Sequence, residues 1–410
     1  MQQNLTSEDS KEALNQVVYL VGNRQIMDQM LNIPVKQPFD EEMIEFLNEL
    51  SRKLMGMDEA KKYPDIVSLG FWIRKASILK MKNKALCLNN DSYQVGRGIA
   101  FHIAPSNVPV NYAYSLVMGL LTGNANIVRI PSKDFPQVTI INQAINETLS
   151  KFINIKRYIC LIRYEKNQLI NDYLSSIADI RMIWGGDHSI TQIRKSPLCP
   201  RAVEVTFADR YSLAIIDSDK YLELQNKERF AQEFYNDTFL SDQNACTSPR
   251  VVIWMGNSIE AAKDVFWKYE HELVQKKYTY QPIMSVNKLT SSYLAAIKLQ
   301  EVKIEAREDN YIVRVKVTSV DNALMELKDS SGYFFEYDCK DILELVPLCN
   351  DTHCQTIGFL GRKETIMPLV KVGIKGIDRI VPIGKTMDFD YIWDGYNLIE
   401  RLTRTISIQL

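Results

Sequence analysis

From residue 98 onward, short apolar runs alternate with helical segments, and this rhythm limits the fold more than any other feature of the chain. GIAFHIAP at 98–105 reads as a buried strand, VPVNYAYSLVMGLLTG at 108–123 as a helix closed by Gly123, and NANIVRIP at 124–131 as a second strand. The pattern returns with RYICLIRY at 157–164, a helix through NQLINDYLSSIA, DIRMIWGG at 179–186 and a helix from Asp187. Such alternation predicts a parallel sheet with helices on both faces, an α/β fold. Ligand sites in such sheets lie beyond the carboxyl ends of the strands. Three ends carry unusual residues predicted to face one cleft: Pro105, Ser106 and Asn107; Pro131, Ser132 and Lys133; Gly185, Gly186 and Asp187.

A second region opens near residue 207 with the strand SLAIID, one long helix over about 219–239, and then SDQNACTSPRVVIW. YIVRVKV at 311–317 and TIGFLG at 356–361 add strands to a second α/β layer. Before residue 80, MIEFLNELSRKL at 43–54 and FWIRKASILK at 71–80 have helical spacing and no visible chemistry. At 410 residues the chain exceeds the size of a single core, so two domains are expected.

Lys plus Arg number 49 against 50 Asp plus Glu, a balance that gives no reason to expect a nucleic-acid partner. The first residues are polar and acidic and no apolar run reaches membrane length, so a cytoplasmic protein without a membrane span is expected. Seven cysteines scattered along a long chain do not form a disulfide framework and read as reduced thiols.

Cys246 stands between the polar turn SDQN and a Ser-Pro pair, where backbone donors would favour a nucleophilic thiolate; the alternative is a buried loop thiol. Asn107, between Pro105 and Pro109, is either an oxyanion donor or a helix N-cap. Glu204, in RAVEVTF, is either a base whose pKa burial has raised or a strand-edge carboxylate on the solvent face. Gly185 and Gly186 let a backbone approach a phosphate or nicotinamide, or simply make the turn. His353, between Cys349 and Cys354, suits proton transfer better than a metal, for which no second ligand pair exists. His102 and His188 are expected beside the cleft, and His271 exposed on a charged helix.

Taken together, FHIAPSNVPVNYAYSLVMGLLTGNANIVRIPSK at 101–133 and SDQNACTSPR at 241–250 resemble the bacterial bioluminescence-type fatty acyl reductases, the acyl-CoA reductase family called LuxC. The resemblance continues through CQTIGFL at 354–360, GIDRIVPIGKTMDFD at 376–390 and DGYNLIERLTR from 394. It implies an aldehyde dehydrogenase-like fold, with a Rossmann-type cofactor domain at 1–206 and an α/β catalytic domain at 207–385. A tail at 386–410 would pack back on the cofactor domain or a neighbour, and a hairpin near 82–98 would support a homo-oligomer.

The resemblance also implies roles. Cys246 matches the nucleophile and Pro105, Asn107 and Pro109 match the oxyanion motif. Glu204 is a partial match to the superfamily glutamate, with Thr206 and Phe207 in place of two glycines. Trp184, Gly185 and Gly186 correspond to a Thr-Gly-Ser cofactor segment, and His353 to a histidine of acylating members. In IVRIPSKD the superfamily has a lysine before the proline and often an acid two places after it, where this chain has Ile130 and Lys133. NADPH is therefore expected over NADH, with Ser132 and Lys133 near the 2′-phosphate and Arg129 as a second cation. The implied reaction reduces an activated acyl group, from acyl-CoA or an acyl-protein, to an aldehyde, with an acyl-protein synthetase as partner and no metal. Aldehyde oxidation or acyl-phosphate reduction on the same fold, and a catalytically silent scaffold, are the competing readings.

Overall fold

A computed structural model describes residues 12–85, 92–105, 108–306 and 308–409. The chain divides into two compact units, one of residues up to Ala208 together with Tyr391–Leu410, the other Asp209–Asp390.

The first unit is built on strands β1 (Val18–Val21), β2 (Ser92–Gly96), β3 (Ile99–Ile103), β4 (Ala125–Arg129), β5 (Ile159–Arg163), β6 (Ile180–Trp184) and β7 (Val203–Phe207). Six of them form one sheet in the order β1-β5-β4-β3-β6-β7, parallel except for β1, which pairs antiparallel with β5. Every residue of β3 and β6 is buried, as strands covered on both faces require, and each is apolar but for one residue, His102 in β3 and Arg181 in β6. The order runs one way from β3 through β4 to β5 and then turns back to β6. That reversal opens a crevice at the carboxyl ends of β3 and β6, flanked by the end of β4.

The helix expected at 108–123 is α2 (Asn111–Leu121), and that at 43–54 is α1 (Glu41–Gly56), capped by Asp40. The single helix expected at 71–80 is instead shared between Pro64–Trp72 and Lys75–Ala85. The Phe71 carbonyl at the break accepts from Arg74 Nε at 3.1 Å and Ser77 Oγ at 3.0 Å. Among its described residues the stretch 82–98 forms no local hairpin. Residues 82–85 close the second of these helices, 86–91 lie outside the described residues, and β2 pairs antiparallel with a strand from the far end of the chain.

The second unit holds a seven-stranded sheet of β8 (Tyr211–Asp217), β9 (Pro249–Met255), β10 (Lys303–Ala306), β11 (Val313–Lys316), β12 (Tyr333–Asp338), β13 (Cys354–Leu360) and β14 (Arg379–Pro382). Its order is β10-β11-β12-β9-β8-β13-β14, with only β10 antiparallel to its neighbour. Alternate residues feed two separate cores, Leu213, Ile215, Val251 and Ile253 on one face, Ala214, Ile216, Val252 and Trp254 on the other. The helix expected over 219–239 is two, Ser218–Glu223 and α3 (Lys227–Asp237). Lys227 Nζ takes the carbonyls of Tyr221, Leu222 and Leu224 at 2.6, 3.0 and 2.6 Å, and Asn226 caps the Arg229 amide. These contacts end one helix and start the next while the apolar period continues across the break.

Two further helices follow β9, α4 (Ile259–Lys277) and α5 (Pro282–Lys298). His271, expected to be exposed, is buried on α4 with Nε2 at 2.7 Å from Asp309 Oδ2, because α4 turns Phe266, Trp267, Glu270 and Val274 inward on the same side. Residues 391–410 return to the first unit as β15 (Ile392–Trp393), β16 (Tyr396–Asn397) and β17 (Thr403–Ser407), the last pairing with β2. Asn124 Nδ2 donates to Leu402 O at 2.9 Å and Arg97 Nε to Arg401 O at 2.8 Å. No helix of the described residues is long and apolar enough to cross a membrane.

Candidate active site

Cys246 lies in the turn that leads into β9, half-buried and outside any disulfide. The loop before it uses two non-glycine residues in the left-handed region, Asp242 at φ 52° and Gln243 at φ 58°. Such a backbone needs outside support. Gln243 supplies it: its buried amide donates to Pro249 O at 2.9 Å and Tyr333 O at 3.0 Å, and accepts from the amides of Gly332 at 3.0 Å and Tyr333 at 3.1 Å. Ser241 and Ser248 hydroxyls meet at 3.1 Å across the turn, and Ser212 Oγ donates to the Cys246 carbonyl at 2.8 Å.

The nearest cation in sequence is Arg250. Burial pulls its guanidinium down to about 10, against the opposing charges of Asp329, Asp209 and Cys246. Arg250 is thus within electrostatic reach of the thiol. Other cysteines differ. Burial pushes the Cys160 and Cys339 thiols up to about 12 and Cys354 well above its ordinary value, which makes them inert. Among the described residues only Cys199 is more open than Cys246.

His353 sits just before β13, half-exposed, with Nδ1 and its amide at 2.9 and 3.0 Å from Asp351 Oδ1. Although burial pushes the Asp351 carboxyl up, hydrogen bonds from the His353 amide and ring, its charge, and the Tyr211 hydroxyl hold it below the usual range. Donation from Nδ1 fixes Nε2 as the ring's basic nitrogen. The His353 carbonyl accepts from the Tyr211 amide at 2.9 Å, so consecutive residues of β8 tie down His353 and Cys246.

In the first unit the crevice at the strand ends collects Pro105, Pro131, Ser132, Lys133, Trp184, Gly185 and Gly186. Ser106 and Asn107 lie outside the described residues. Trp184 is buried and fixed, its ring stacked on Phe207 at 3.5 Å and its Nε1 donating to Ser115 Oγ at 3.0 Å. A Cβ at Gly186 would meet nothing within 4 Å, so the turn leaves open space there. Ser132 and Lys133 are exposed just past β4. Arg129 is engaged elsewhere, with its guanidinium over the Tyr164 ring at 4.4 Å.

His102 does not face the crevice. It is fully buried, Nδ1 at 2.7 Å from Ser115 Oγ and Nε2 at 3.0 Å from Asn126 Oδ1, and burial pulls it down to about 4. Glu204 is committed to two arginines of its own unit. One oxygen accepts from Arg181 Nε at 2.9 Å and Nη2 at 2.5 Å, the other from Arg194 Nε at 2.7 Å. Arg181 is buried and needs a counter-charge. Among the described residues no group of three or more His, Cys, Asp or Glu is placed to hold a metal ion.

The acyl-CoA reductase (LuxC) family model matches residues 16–311. Two relatives are the long-chain acyl-protein thioester reductases of Aliivibrio fischeri, 23% identical over 320 residues, and of Vibrio harveyi, 22% identical over 327. Each alignment covers 76% of this chain and 64% of the relative, so the chain spans less than two thirds of their length. Among solved structures, betaine aldehyde dehydrogenase from Staphylococcus aureus superposes with a TM-score of 0.64 at 14% identity, covering 98% of this chain and 87% of that one. Lactaldehyde dehydrogenase from Escherichia coli gives 0.63 at 12%, over 98% and 91%. The 1-pyrroline-5-carboxylate dehydrogenase from Thermus with bound NAD gives 0.62 at 13%, over 98% and 85%. The fold is therefore that of the aldehyde dehydrogenases.

Proposed function

The chain belongs to the acyl-CoA reductase (LuxC) family, and from that premise we propose that it reduces a long-chain acyl thioester to an aldehyde through an acyl-Cys246 intermediate. The observation that carries this reading is the half-buried Cys246, its carbonyl held by Ser212 and its thiol within electrostatic reach of Arg250, on a loop that Gln243 locks from within. Relatives named for acyl-protein thioesters favour an acyl-protein donor over free acyl-CoA, with the acyl-protein synthetase as its source and partner. In this reading the enzyme works in the cytoplasm as a homo-oligomer.

The Cys246 thiolate attacks the acyl carbonyl, and Asn107 with a backbone amide holds the oxyanion. His353 gives a proton to the departing thiol, so that the thioester bond formed to Cys246 replaces the one broken. A nicotinamide dinucleotide, when bound, supplies the hydride that turns this thioester into a thiohemiacetal. Loss of aldehyde then returns the thiolate.

The donor set at the strand ends fits such a cofactor. Pro105, Pro131 and the Trp184-Gly185-Gly186 turn stand at the strand ends, Ser106 is assigned to the same set by the resemblance alone, and Ser132 and Lys133 offer a hydroxyl and a cation to a 2′-phosphate, hence NADPH. The neighbouring Asp134 carboxylate, which would repel that phosphate, is paired with Arg163 at 2.7 Å. Arg129, laid on Tyr164, is left out of the set. Glu204 acts as the counter-ion of Arg181 and Arg194 rather than as a base that activates water, which favours reduction over oxidation and hydrolysis.

The test is to incubate the protein with acyl thioesters, carried on coenzyme A or on a protein, while following acyl-enzyme mass and NADPH consumption together. Wild type should acquire one acyl group on the peptide containing Cys246 and consume NADPH, and Cys246→Ala should do neither while still binding NADPH. Acylation that persists in Cys246→Ala would overturn the assignment.

A further inference from the structure

Helix α5 is inside out. Its inward face carries Lys288, Ser292 and Ala295, all buried, while Ile283, Val286, Leu289, Tyr293, Leu294 and Ile297 stand between 45% and 78% exposed. At 3.6 residues per turn the six share one stripe of about 140° on the side opposite the buried residues.

The inward face has its own explanation. Lys288 Nζ donates to the carbonyls of Asn310, Tyr311 and Ser331 at 2.5, 3.0 and 2.9 Å, clipping the helix to the loops around β11 and β12. Ala295, being small, lets the helix lie close to the sheet. Nothing in the unit calls for the outward row. An amphipathic helix turns such a row to its core, and exposed apolar patches of this extent mark docking surfaces.

We propose that the outward face of α5 docks a second copy of this chain through the same face. Charge points to that occupant: between Pro282 and Ile297 the only charged residue is Lys288, and it faces inward. Two copies therefore meet without like-charge repulsion, whereas a charged partner finds nothing to pair with. Area agrees. A stable interface takes about 800 Å² from each partner, and six large side chains that are 45% or more exposed supply most of it. A single straight stripe is also self-complementary under a two-fold axis, with ridges packing into grooves of the same helix. The sequences outside the described residues, MQQNLTSEDSK at 1–11 and LCLNND at 86–91, carry no apolar row of matching length.

The experiment is sedimentation velocity of the full chain over a wide concentration range, for wild type, Leu289→Glu and Ile297→Glu. Both positions face solvent, so thermal unfolding of the variants reports whether the fold survives. Wild type should show concentration-dependent association, and each glutamate should weaken it about a hundredfold or more by burying an uncompensated charge. Thr290→Cys, at the middle of the stripe, should form a disulfide-linked dimer on mild oxidation that wild type does not form. A wild type that stays monomeric, or folded variants that associate as wild type does, would overturn the proposal. So would a monomer that floats with neutral phosphatidylcholine vesicles and loses this with Ile297→Glu, since the occupant would then be a bilayer.

Discussion

A glutamine side chain offers two donors and two acceptor sites, and Gln243 satisfies all four inside the core. Gln243→Leu should therefore strand two amides and two carbonyls. We expect a loss of about 2–4 kcal/mol in denaturant unfolding and at least a tenfold slower acylation of Cys246 in the molecules that fold. An acylation rate equal to wild type would remove Gln243 from the support of the loop. Lys133 is exposed, with its ammonium 5.0 Å from the centre of the Phe135 ring, and no buried partner depends on it. Lys133→Glu should leave stability within about 0.5 kcal/mol and move cofactor preference from NADPH towards NADH by tenfold or more. Measuring kcat/KM with both cofactors at one ionic strength decides this, and an unchanged ratio sinks it. The sequence makes Cys246 legible because a polar turn and a Ser-Pro pair frame it. It does not reveal the commitment of Glu204, since Arg181 and Arg194 reach it from the neighbouring strand and the next helix.

At the scale of elements, one polar chain stitches α2, β3, β4 and β6 together. Trp184 Nε1 donates to Ser115, Ser115 donates to His102 Nδ1, and His102 Nε2 donates to Asn126, whose Nδ2 donates to Asn124 O at 2.7 Å. Gly119 on α2 has no room for a Cβ, which would fall 1.7 Å from Asn126 Oδ1. Burial pulls His102 from 6.5 to about 4, so the unfolded chain binds the proton more readily than the folded one. The stability this neutral ring contributes is present above about pH 6.5 and is lost as pH falls towards 4, by on the order of 3 kcal/mol. His102→Asn should lose that component of the pH dependence, which chemical denaturation across this window would reveal; an identical slope in the variant refutes it. The strands β3 to β6 are readable because most of their residues are apolar and few polar ones interrupt them. Strand β1 escapes because four residues of antiparallel edge carry too short a pattern, and the break before α3 escapes because Lys227 and Asn226 act across an uninterrupted period. For α5 the period is visible but the face it buries is not, since periodicity alone does not say which side meets the core.

For the whole molecule, strand order is the part that local pattern does not encode. The sequence implies a parallel sheet, but the placement of β6 beside β3, and hence of the crevice, rests on long-range pairing. The closing pair β2–β17 is equally non-local. Deleting residues 403–409 should leave β2 without its partner and lower the Tm by several degrees. In hydrogen exchange, the amides of 92–96 should lose protection while those of β8 and β9 keep theirs; full protection at 92–96 would contradict this. The return of the chain also sets an order of assembly. Arg97 waits for the carbonyl of Arg401, 304 residues later, and at synthesis rates of about 5–20 residues per second that wait is roughly 15–60 s. The second unit, lying wholly within that interval, emerges complete before the first can be closed. For that time a nascent chain holds an open strand edge at β2, and whatever shields it on the ribosome decides how much of the protein is made without aggregating.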